Sequence, residues 1–72
     1  MREEEIKDLD QVISTLNKLI ISLSQEYDEV PEDQYKKMFQ EQIIKLGVAT
    51  REIEEVRRQL LIIYVHYKHF QQ

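Results

Sequence analysis

Apolar residues recur along this chain at steps of three and four, the spacing that stacks side chains on one face of an α-helix. In the first half, Ile6, Leu9, Val12, Ile13, Leu16, Leu19, Ile20, Leu23 and Tyr27 fall in a stripe roughly 140° wide at about 100° per residue. Only Ile21 lies off it. The pattern predicts a helix over about 2–27. Glu3, Glu4 and Glu5 suit the positive end of its dipole. In the second half the stripe is Tyr35, Phe39, Ile43, Leu46, Ala49, Ile53, Val56, Leu60, Ile63, Tyr67 and Phe70, which predicts one helix over about 31–70. Glu32–Lys36, Asp33–Lys37, Glu41–Lys45 and Glu54–Arg58 are acid-first pairs one turn apart, and each adds a few tenths of a kcal/mol of helicity.

Between the two lies a turn at 28–30. Pro31 disfavours helical geometry at Val30 and is itself acceptable as the first residue of a new helix. A link this short returns the second helix antiparallel to the first. The expected fold is therefore all-α: a single domain over 1–72, an antiparallel helical hairpin with the second helix longer, completed by a partner or by self-association.

The difference in length has a consequence. Helices of about 25 and 40 residues are roughly 37 and 60 Å long. With a tight turn, Ile6 is expected near Ile53, and the chain beyond Arg57 overhangs by roughly 20 Å. That overhang is the most apolar stretch of the chain, Leu60-Leu61-Ile62-Ile63-Tyr64-Val65-His66-Tyr67-Lys68-His69-Phe70, with apolar residues on every side of the helix. A helix of that kind is normally buried. Leu60, Leu61, Ile63, Tyr64, Tyr67 and Phe70 are thus the expected partner-binding anchors, since tyrosine and other large side chains carry most interface energy.

Gly47 is the one glycine, costing about 1 kcal/mol against alanine inside a helix. It is either a tolerated residue, a place where another backbone approaches, or a kink that divides the second helix.

Composition narrows the classes of function. The net charge of −4 is uneven: residues 1–33 hold ten acids and three bases, residues 34–72 four acids and seven bases. An acidic chain without a dense basic cluster is not built to neutralise phosphates, so no nucleic-acid partner is expected. The longest apolar run, Leu60–Val65, is far short of the ~20 residues of a membrane span. Met1-Arg2-Glu3-Glu4-Glu5 lacks the positive start of a signal peptide, and no cysteine is present, so a cytoplasmic chain is expected.

No arrangement of residues has the look of an enzyme's. His66 and His69 make at most half of a zinc site, and no third ligand is evident. Ser14, Ser22 and Ser24 have no histidine and carboxylate arranged around them. The acids Glu26, Asp28, Glu29, Glu32 and Asp33 crowd the turn, as a solvated surface, as a docking point for a basic partner or as a low-affinity cation site, and their spacing matches no calcium loop. No cofactor is expected.

A small acidic α-hairpin with an apolar, tyrosine-bearing tail resembles the small co-chaperones of type III secretion needle subunits, the YscE/SsaE-like family. The resemblance runs over residues 32–67: Glu32-Asp33-Gln34-Tyr35 after the turn, Ile53-Glu54-Glu55 in mid-helix, and Leu61-Ile62-Ile63-Tyr64-Val65-His66-Tyr67 near the end. Pro31 and the acidic turn stand outside that pattern. The resemblance implies a bacterial cytoplasmic protein that binds a tetratricopeptide-like, helical-repeat chaperone. Together the two would keep a needle subunit soluble and unpolymerised. The alternative from the residues alone is a homo-oligomer, a dimer or tetramer in which hairpins pair their tails into a four-helix bundle.

Overall fold

The structure is a computed structural model that describes the backbone of residues 2–70 and the side chains of residues 4–67. It is an all-α helical hairpin. Helix α1 spans Arg2–Glu29 and helix α2 spans Asp33–Phe70, and the two run antiparallel in contact. The molecule is a rod of 60 × 15 × 11 Å, its long axis set by the 38 residues of α2 at about 1.5 Å each.

The turn is displaced by two residues from the expected position. The amide of Val30 still donates to the carbonyl of Glu26 at 3.1 Å, so α1 persists to Glu29. Pro31 then excludes Val30 from helical geometry. The first bond of α2 is Lys36 N–H to the Glu32 carbonyl at 3.1 Å, which makes Glu32 the capping residue and leaves Pro31 outside the helix. Asp33 sits in the first turn, where a carboxylate faces the positive end of the dipole. Gly47 does not divide α2, which is continuous through it.

The contact between the helices follows a strict 3–4 repeat. On α1 the half-buried residues are Ile6, Leu9, Ile13, Leu16, Ile20, Leu23 and Tyr27, and Val30 of the turn continues the repeat. On α2 they include Lys36, Phe39, Ile43, Leu46, Ile53, Arg57, Leu60 and Tyr64, and Thr50 is fully buried. This is the seam of a two-stranded antiparallel coiled coil.

The seam of α2 corrects the expected stripe. Tyr35, Val56, Ile63 and Tyr67 are exposed, between 44% and 53%. Lys36, Thr50, Arg57 and Tyr64 occupy the lane beside them and face α1 instead. These side chains serve at a two-helix seam because their stems pack while their polar ends find partners. The Lys36 ammonium lies 5.1 Å from the centre of the Tyr27 ring. The Thr50 hydroxyl donates to the Leu46 carbonyl at 2.8 Å. Arg57 Nε meets Asp10 Oδ1 at 2.5 Å.

The overhang is also shorter than expected. Contact does not end near Arg57, because the Tyr64 hydroxyl donates to the Glu5 carboxylate. Side chains tilt toward the N-terminus of their own helix, so Tyr64 leans back toward the turn while Glu5 leans outward. The remaining difference is 38 − 28 = 10 residues, about 15 Å of helix.

Candidate protein-binding surface

Among the described residues no apolar side chain is buried; the single buried residue is Thr50, 6% exposed. The hairpin exposes 6130 Å², whereas a compact monomer of 8.8 kDa exposes about 4,800 Å². The surplus of about 1,300 Å² exceeds the roughly 800 Å² that one partner contributes to a standard interface. Two helices in line enclose no interior; a third and fourth are what give a helix bundle its core.

The uncovered apolar surface has two parts. The first is the end of α2. Leu61, Ile62, Ile63, Val65 and Tyr67 are all exposed, the last three at 53%, 65% and 44%, and they surround the helix except on the side that Leu60 and Tyr64 turn to α1. Of the anchors expected from the sequence, Leu61, Ile63 and Tyr67 lie on this surface. Leu60 and Tyr64 are half-buried, Tyr64 held to Glu5 of α1. The side chain of Phe70 lies outside the described residues, as does that of His69. His66 is exposed.

The second part was missed by sequence reasoning, because its residues were assigned to the seam. An antiparallel helix pair has an approximate two-fold axis normal to the plane of the two helices, so equivalent heptad positions fall on the same broad face. The lane just before each first seam position carries Glu5, Val12, Leu19 and Glu26 on α1, and Tyr35, Gln42, Ala49, Val56 and Ile63 on α2. All but Ala49 are substantially exposed. The opposite broad face carries Asp10, Asn17 and Ser24 on α1, and Gln40, Gly47, Glu54 and Leu61 on α2. One face is therefore largely apolar and the other largely polar. A shallow depression lined by Asp8, Gln11, Val12, Thr15 and Leu16 runs along the apolar side of α1.

At the acidic turn Glu26, Asp28, Glu29, Glu32 and Asp33 are all exposed. Among the described residues no three of His, Cys, Asp and Glu converge in a way that could hold a metal ion. No helix among them is long and apolar enough to cross a membrane. No family model matches the chain, and comparison with curated proteins and with solved structures found no match.

Proposed function

We propose that this chain is a protein-binding helical hairpin that acts as a small co-chaperone. In this reading it stabilises a tetratricopeptide-like chaperone and helps it keep a type III secretion needle subunit soluble and unpolymerised in the bacterial cytoplasm. The observation that carries the binding role is the absence of any buried apolar side chain among the described residues, set beside the exposed apolar residues Leu61, Ile62, Ile63, Val65 and Tyr67 at the end of α2. Such a surface needs an occupant, since contiguous apolar patches of this kind mark interaction sites. The choice of a helical-repeat chaperone comes from the resemblance of residues 32–67 to the needle co-chaperones.

The test is co-expression with the helical-repeat protein and needle subunit of one secretion cluster, with recovery of a stoichiometric complex as the expected result. Leu61→Asp and Ile63→Asp, both on exposed positions, are expected to weaken that complex by at least about tenfold, as central interface anchors do. A complex unchanged by both substitutions places the anchors elsewhere, and no complex at all ends the co-chaperone reading.

Self-association of the tails is the second reading. It is favoured by one feature: Leu60–Tyr67 contains no Asp, Glu, Lys or Arg, so two copies can pair there without opposed charges. A concentration-dependent mass in sedimentation, lost on Leu61→Asp, identifies it.

A further inference from the structure

The broad apolar face has an edge of one sign. On α1 Glu5 and Glu26 close the two ends of its lane, and Asp8 and Glu29 lie just outside it, all exposed. On α2 the corresponding edge adds Glu52 and a single cation, Lys45. Five carboxylates thus frame the face against one ammonium. A second copy docked there about a two-fold axis would set this frame against itself, and like charges opposed across an interface cost affinity. Helices whose apolar stripe is edged by lysine or arginine meet the frame with opposite charge and can lay the stripe along Val12, Leu19 and Val56.

We propose that this face docks an amphipathic helix of another protein whose apolar stripe is flanked by basic residues. The proposal rests on the chain being a protein-binding module, but not on the end of α2 as the site. The face and the tail meet at Ile63, but Val12, Leu19 and Val56 belong to the face alone and Val65 to the tail alone.

Two synthetic helical peptides of equal length serve as probes. Both carry a leucine stripe at i, i+3, i+4 and i+7, one edged by lysine and the other by glutamate. Each is titrated against the full chain by fluorescence anisotropy at low and at high salt. The lysine-edged peptide is expected to bind at least about tenfold more tightly at low salt, with the gap narrowing as salt screens the exposed edge. Glu26→Lys with Glu29→Lys, both at exposed positions, is expected to narrow or reverse the preference without touching the apolar contact. Val56→Asp should abolish binding, and Val65→Asp on the tail should leave it unchanged. Circular dichroism confirms that each variant remains helical.

Equal affinity for the two peptides, or no binding of either, overturns the proposal. So does a homodimer dispersed by Val56→Asp, which would give the face to a second copy. Loss of binding through Val65→Asp with Val56→Asp silent also overturns it, while leaving the tail-binding reading intact.

Discussion

The Tyr64 hydroxyl donates to the carboxylate of Glu5, fifty-nine residues earlier in the chain, and so ties the first turns of α1 to the distal part of α2. Both side chains reach the contact from the surface, which limits its worth to about 1 kcal/mol. Tyr64→Phe keeps the ring at the seam and removes only the hydroxyl. Hydrogen exchange is expected to quicken in the first turns of α1 and to stay unchanged near the turn at 30–32.

Arg57 and Asp10 form a second cross-link, with 35% and 53% of their side chains exposed. Reversing one charge sets two carboxylates together at the seam. Arg57→Asp is expected to lower stability by about 1–2 kcal/mol, and Arg57→Asp with Asp10→Arg to recover most of it. The loss should shrink in high salt, because the pair is half in water. Denaturation of the four members of this cycle measures it.

Gly47 carries the helical geometry of α2 without a positive φ, and a Cβ built on it meets nothing within 4 Å. Gly47→Ala is therefore expected to raise stability by about 1 kcal/mol, through the helix propensity alone. If that variant also loses affinity for a partner, the partner's backbone crosses the polar face at this position.

Thr50 is the most enclosed residue, and its hydroxyl returns to its own helix at Leu46. That carbonyl also belongs to the helix ladder, so it is not left unsatisfied when the hydroxyl goes. Thr50→Val puts a β-branched apolar side chain at a first seam position, where such residues pack well. A gain of up to about 1 kcal/mol in thermal denaturation is expected.

The number of helices, their order and the hairpin were legible in the 3–4 spacing and in Pro31. The rotation of α2 about its own axis was not. Two lanes of the second helix share Phe39, Ile43, Leu46, Ile53 and Leu60, and they differ in what fills the remaining positions. One lane adds Tyr35, Ala49, Val56 and Ile63; the other adds Lys36, Thr50, Arg57 and Tyr64. Apolarity selects the first lane, yet the hairpin uses the second. The reason lies in contacts that periodicity does not encode: Lys36 over Tyr27, Arg57 at Asp10 and Tyr64 at Glu5 each need a particular residue on the other helix. Leu61, Ile63 and Tyr67 of the tail were legible because a helix apolar on all sides leaves no rotation that hides it. The apolar broad face was not, because its residues look like core until the seam is located.

The lack of a buried apolar side chain among the described residues couples this chain's survival to its company. A hairpin without a buried apolar core opens at little cost when alone, and whatever binds the closed form holds it closed by mass action. Copies without a partner are then the ones a protease reaches first. The abundance of the protein would follow that of its partner, with supply in excess removed and not stored.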